Sequence, residues 1–167
     1  MAELTPQDRL QPSLLDRLTD DDPERLVESR EARVLSPARL RESVRRDLSW
    51  LFNTTHLASM DSRVKEEPAV GQSVLNFGVP SLNGQTAVGM DTKRIERALR
   101  DAILNFEPRL LAHTVEVSLH VGERMDRHAV LFTIRAELWA QPLPLHLFLR
   151  AAVDLDSGEV RLDNPRE

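Results

Sequence analysis

The chain has 167 residues, a formal net charge of −5, 41 % hydrophobic and 29 % charged residues, and no cysteine. That length and apolar content are enough for one domain with a true core, and the acidic balance argues against bulk attraction to nucleic acid or anionic lipid. Without cysteine there are no disulfides, zinc–thiolate sites or thiol nucleophiles, which fits a reducing cytoplasm.

No apolar run approaches the roughly 20 residues that span a bilayer. The opening Met1–Pro6 lacks both the basic and the apolar regions of a secretory signal. The expectation is a soluble cytoplasmic protein with no direct membrane insertion.

Residues 1–33 are polar and interrupted by Pro6, Pro12 and Pro23. Within them, Leu14, Leu15 and Leu18 can form about two helical turns, either within a solvated tail or as a docking helix. The expected organisation is this extension followed by one domain over 34–167. A first long helix begins at Ser36-Pro37, a cap followed by a first-turn proline. Leu40, Val44, Leu48, Leu51 and Phe52 then recur on one face, and Asn53 supplies a stop. The outer face carries Arg39, Arg41, Arg45 and Arg46, with Glu42 and Asp47 between them. It reads as a solvated surface or as a contact for an acidic partner.

Residues 54–69 read as a loop. Val70–Phe77 can make two helical turns, closed by Gly78 as a left-handed cap and by Pro80. Asn83-Gly84 and Gly89 then mark a turn-rich stretch. A second helix is capped by Asp91 and carries Ile95, Ala98, Leu99, Ala102, Ile103 and Phe106 as an apolar stripe. Pro108 ends it.

The period then changes from 3.6 to 2. Val115, Val117, Leu119 and Val121 alternate with Glu116, Ser118 and His120, predicting a half-buried strand. Residues 122–128 make a hairpin loop. A second strand places Val130, Phe132, Ile134, Ala136 and Leu138 on one face, and Gln141-Pro142-Leu143-Pro144 interrupts it. A third has Leu145, Leu147, Leu149, Ala151 and Val153, and after an Asp154–Glu159 turn a short last strand covers Val160–Leu162. Helices first and strands after predict an α+β fold, with N-terminal helices packed on one face of a mostly antiparallel C-terminal sheet. One of the last strands should be an edge.

Glu107-Pro108-Arg109 sits where the second helix must stop. Proline fixes its own φ and pushes Glu107 out of the helical region, so an acid and a guanidinium project from a stiff backbone. That geometry suits an ion pair or a docking clasp. A glycosidase would need Glu107 as an acid of raised pKa, and a guanidinium two residues away works against that. Of the five histidines, none forms a metal-binding pair with another, so no metal or cofactor is expected. There is no serine-nucleophile or nucleotide-loop motif. With 4 % aromatics and no tyrosine, no base-stacking platform is expected either.

Several segments, in order, resemble the TssE family, the small baseplate wedge proteins of type VI secretion systems and contractile phages. They are Pro12–Leu18, Leu40–Leu48 with Leu51–Thr54, Ser73–Pro80, Ile95–Arg100, Phe106–Leu110 and the Asp154–Val160 turn. Within Ser73–Pro80 the family motif falls on Ser73, Asn76, Phe77, Gly78 and Pro80, to which a structural role is assigned. Phe77 keeps the ring of a position that is often tyrosine.

The resemblance implies a non-enzymatic component of a baseplate docked at the inner face of the inner membrane. It further implies a contact with the wedge subunits TssF and TssG at Glu107, Pro108 and Arg109, with TssK reached through the wedge. The sheet, similar to the strand-exchange domain of the sheath, would template TssB–TssC polymerisation. A "lysozyme-like" peptidoglycan glycosidase is the alternative.

Overall fold

Two amphipathic helices and an antiparallel meander share one hydrophobic core. The computed structural model describes residues 13–19, 36–81, 91–120, 129–140 and 144–163. The helices are α1 (Leu14–Leu18), α2 (Pro37–Phe52), α3 (Pro68–Gly71) and α4 (Thr92–Phe106), and the strands are β1 (Glu116–His120), β2 (Ala129–Leu138), β3 (Leu145–Asp154) and β4 (Val160–Asp163). The strands lie in the order β1-β2-β3-β4 and every neighbouring pair is antiparallel. This is the expected α+β architecture.

Local signals place the helix ends. The Ser36 hydroxyl accepts from the Arg39 N–H at 3.2 Å, and the Asp91 carboxylate accepts from the Arg94 N–H at 3.0 Å. Each leaves one fewer orphan amide in a first turn. At the far end of α4, Pro108 forces Glu107 to φ −123°, ψ 77°, and the helix ends there.

The inner sheet face carries Val130, Phe132, Ile134, Ala136 and Leu138 from β2 and Leu147, Leu149, Ala151 and Val153 from β3, all buried. Leu40, Val44, Leu48, Leu51 and Phe52 of α2 and Ile95, Leu99, Ala102 and Ile103 of α4 close over it. Each such large side chain stabilises the fold by about 1.5–3 kcal/mol. Phe52 meets Phe132 edge-on, with ring centroids 5.5 Å apart. Alternation along β2 and β3 therefore sets the register, because a one-residue slip would turn Phe132 and Leu149 to solvent.

Three local expectations are corrected. Residues 54–69 contain 3₁₀ turns at Leu57–Ser59 and Ser62–Lys65, and α3 begins at Pro68. The turns are built by local caps: His56 Nδ1 accepts from the Ser59 N–H, and Asp61 accepts from the Arg63 N–H. Short polar side chains supply such caps without any hydrophobic period.

In place of two turns over Val70–Phe77, α3 stops at Gly71 and a 3₁₀ turn covers Val74–Asn76. Gly78 is also not a left-handed helix cap. Its φ is 124°, and a Cβ there would lie 2.3 Å from the Thr54 carbonyl oxygen. The glycine permits a close approach, in which the Val79 N–H donates to the Thr54 carbonyl at 2.8 Å and the His56 N–H donates to the Val79 carbonyl at 3.0 Å.

Of the α2 arginines, Arg39 is exposed and Arg45 pairs with Glu42 one turn away, as a solvated face allows, while Arg41 and Arg45 also reach the sheet. Arg41 Nε donates to the His146 carbonyl at 3.3 Å and Arg45 Nη1 to the Leu162 carbonyl at 3.2 Å. The expectations for residues 1–12 and 20–33, Asn83-Gly84, Gly89, Val121, the 122–128 hairpin loop with His128, and Gln141-Pro142-Leu143 lie outside the described residues.

Gly78→Ala should lower the unfolding free energy by about 2–3 kcal/mol, from positive-φ strain and the carbonyl clash together. Urea denaturation measures this, and an unchanged midpoint would refute the close-approach role.

Candidate functional site at the Glu107–Arg109 pair

The proline turn after α4 aims Arg109 back at the Glu107 carboxylate. Arg109 Nε donates to Glu107 Oε1 at 2.7 Å, Nη2 donates to Oε2 at 2.5 Å, and the Arg109 backbone N–H reaches Oε1 at 3.2 Å. Glu107 is 3 % exposed. The rest of the guanidinium faces α2, where Nη2 donates to Asp47 Oδ2 at 2.5 Å and Nη1 to Ser43 Oγ at 3.0 Å.

The network continues. Arg46 Nε and Nη2 donate to Asp47 Oδ1, and Arg46 Nη1 donates to Asp16 Oδ1 at 2.6 Å. The Ser43 hydroxyl donates to Asp16 Oδ2 at 2.8 Å. Asp16 also closes the capping box of α1, accepting from the Ser13 hydroxyl at 2.7 Å while its own N–H donates to Ser13 Oγ. Glu107, Arg109, Asp47, Arg46 and Asp16 thus alternate in charge from the end of α4, across α2, to α1. The loop behind the pair is fixed too, because the Trp139 N–H donates to the Arg109 carbonyl at 2.7 Å and the Leu111 N–H to the Glu137 carbonyl at 2.8 Å.

These surroundings shift two groups decisively. Burial works against the Arg109 charge, but hydrogen bonding and attraction from Glu107, then from Asp47, outweigh it and hold the guanidinium above its ordinary range. Burial likewise opposes the Asp16 charge, yet hydrogen bonds from Ser13, Arg46 and Ser43 bring its pKa down from 3.8 to about 2. Glu107 has both oxygens committed to Arg109. It is built to hold a cation rather than to deliver a proton to a leaving group.

Beside the pair lies an open groove of about 450 Å³, lined by Leu15, Trp50, Leu51, Phe77, Phe106 and Pro108 among others. Pro108 is exposed at its rim. Trp50 is 50 % exposed and carries the Arg46 guanidinium 5.1 Å from its ring centroid. Phe77 meets Phe106 edge-on at 5.3 Å.

The 73–80 segment holds Phe77 there. Ser73 Oγ accepts from the Leu75 N–H, and Asn76 Oδ1 accepts from the Ala58 N–H at 2.9 Å while its Nδ2 donates to the Gly71 carbonyl at 2.9 Å. Pro80 follows the bridge between Thr55 and Val79. Of the predicted docking leucines, Leu15 lines the groove and Leu18 is 74 % exposed. Leu14 lies within α1.

The structure therefore joins Glu107, Pro108, Arg109, Leu15 and Phe77 in one region. Sequence reading missed Asp16, Ser43, Arg46 and Asp47. The Ser13…Asp16 spacing carried a capping signal, but nothing in the sequence showed that α1 and the 107–109 turn meet on one side of α2. Among the described residues, no group of three or more His, Cys, Asp or Glu side chains could hold a metal ion.

The sequence profile described as baseplate wedge protein gp25 matches residues 38–143, from α2 through β2. The chain belongs to this baseplate wedge family. A solved structure titled "The baseplate complex from the type VI secretion system" is similar over 70 % of this chain and 96 % of its own, with 16 % identity and a TM-score of 0.47. No curated protein matches. The family segment contains the Glu107–Arg109 pair, its α2 partners and most of the groove.

Arg109→Ala leaves Glu107 buried and unpaired, so it should cost about 3–5 kcal/mol. Glu107→Leu combined with Arg109→Met should recover most of that loss. Denaturant titration of the single and double variants measures both, and additive losses would show that the two side chains do not act as a pair.

The depressed pKa of Asp16 also fixes a pH window. Its contribution, about 2 kcal/mol, is complete above the ordinary value of 3.8 and is lost as pH falls toward about 2. In a Trp139→Phe background, Trp50 fluorescence should report release of α1 in that window. The transition should vanish in Asp16→Asn; a transition that persists there would assign it to another group.

Proposed function

We propose that this chain is a structural baseplate component of a type VI secretion, contractile injection machine. The family match over residues 38–143 carries this reading, since it spans α2, α4 and the paired charges between them. In this reading the contact with the wedge subunits TssF and TssG forms at Glu107-Pro108-Arg109, and TssK is reached through the wedge. Pro108 and the apolar groove offer the touching surface. The Glu107–Arg109 pair beneath fixes its shape, so the partner meets a rigid apolar rim rather than a bare charge. Exposed Leu18 and groove-lining Leu15 extend that surface along α1.

The sheet would template the first TssB–TssC sheath ring by strand pairing, which gains affinity from main-chain hydrogen bonds. The baseplate would stand in the cytoplasm, docked at the inner face of the inner membrane. Among the described residues no helix is long and apolar enough to cross a membrane. We assign no catalytic step. The peptidoglycan glycosidase alternative needs a proton on Glu107, where the site places a guanidinium.

The test is capture of TssF and TssG from a lysate holding all baseplate and sheath subunits. Tagged wild-type protein should retain both. Trp50→Ala, with an unchanged melting curve, should weaken capture by about 30-fold or more, the size of an aromatic anchor lost from an interface centre. Failure of the wild type to capture either subunit would remove the wedge assignment. Equal capture by both proteins would move the contact away from the groove.

A further inference from the structure

The outer strands of a sheet carry backbone groups that no further strand satisfies. On β4, Arg161 and Asp163 lie opposite Ala152 and Arg150 of β3. The Asp154 N–H donates to the Glu159 carbonyl at 3.0 Å, so by the two-residue alternation of the ladder Arg161 and Asp163 bond to β3 while Val160 and Leu162 turn their backbone groups outward, and side chains of α2 cover the Val160 N–H and carbonyl and the Leu162 carbonyl. Asn53 Oδ1 accepts from the Val160 N–H at 2.9 Å, and Asn53 Nδ2 donates to the Val160 carbonyl at 2.8 Å. Arg45 Nη1 donates to the Leu162 carbonyl at 3.2 Å. A carboxamide has the same donor and acceptor as a peptide group. Asn53 therefore stands in for the N–H and C=O of one residue of a neighbouring antiparallel strand.

The opposite edge is covered at two points by charged side chains. Glu96 Oε1 accepts from the Leu119 N–H at 2.7 Å, and Arg100 Nε donates to the Val115 carbonyl at 3.1 Å. A carboxylate on an amide is the stronger, charge-assisted kind of cover, and α4 packs along β1. On β4 a neutral amide does most of the work, and its release costs less. Asn53 Nδ2 also donates to the Ser49 carbonyl at 2.8 Å, so this nitrogen keeps a partner when it leaves Val160.

We propose that β4 is the strand-accepting edge of the sheet and that Asn53 is its latch. An extended segment of a sheath subunit pairs at Val160 and Leu162 by displacing the Asn53 carboxamide and then the Arg45 guanidinium. The exchange replaces one amide by another, so it is nearly neutral in hydrogen bonds, and it keeps the edge closed until a partner supplies a longer run of them. This rests on the strand-pairing reading above and adds the edge, the register position and the guard.

The test compares wild type, Asn53→Ala and Val160→Pro as seeds for purified TssB–TssC, with sheath growth followed by light scattering. Proline at the first position of an edge strand removes the outward N–H and keeps an apolar side chain in the core. Asn53→Ala should shorten the lag about tenfold, the effect of losing a latch of one to two net hydrogen bonds. Val160→Pro should fail to seed while still melting cooperatively.

If Asn53→Ala does not fold, Arg45→Ala uncovers the Leu162 carbonyl without touching the core and should shorten the lag in the same direction. Seeding by Val160→Pro at the wild-type rate, or an unchanged lag in the folded latch variant, overturns the proposal and leaves sheath templating standing. If wild type does not seed at all, the templating reading itself fails. The proposal then falls with it, whereas either variant outcome above overturns the proposal alone.

Discussion

The buried pair of Glu107 and Arg109 is the joint on which the rest of this structure turns. It stands where α4 ends, it reaches α2 through Asp47 and Ser43, and its backbone is tied to the end of β2 through Trp139. Three parts of the fold therefore meet at one arginine. Taking an ion pair out of water is costly, and only dense hydrogen bonding repays it. Here Arg109 donates to two carboxylates and a hydroxyl, which is the condition under which such a pair holds geometry instead of weakening the core. The proline between the partners removes backbone freedom that would otherwise have to be lost on folding.

From that joint the charges alternate outward to α1. A five-residue helix has little stability of its own, and α1 is held by the one carboxylate that both caps it and reaches α2. Leu15 and Leu18 remain partly to largely exposed beside that carboxylate. The network thus makes a surface as well as a core: an apolar groove with a charged, rigid floor beneath Pro108. A stiff apolar rim stands beside the half-exposed Trp50.

The sheet shows the same economy at its margins. Both outer strands have backbone groups covered by side chains from the helix packed nearest to them, Asn53 and Arg45 over β4 and Glu96 and Arg100 over β1. Side-chain cover of this kind suppresses unwanted strand pairing without making the edge permanently unavailable. α2 serves both ends of the molecule: Ser43, Arg46 and Asp47 organise the groove, while Arg45 and Asn53 cover β4.

The sequence by itself determined the two long helices, their caps, the stop at Pro108 and the alternating strands. Each of these follows from short-range physics: a 3.6- or 2-residue hydrophobic period, a capping side chain, or a proline. It also singled out Glu107-Pro108-Arg109 as an ion pair or clasp. Only the tertiary structure decided what the pair touches, because Asp47 and Ser43 are 62 and 66 residues from Arg109 and no period links them. The same holds for Asn53. Its stop signal was legible, but its contact with Val160, 107 residues away, exists only once α2 and β4 have packed. Gly78 was read as a helix cap because a glycine before a proline suggests one locally, and its real constraint is the Thr54 carbonyl brought against it by the fold.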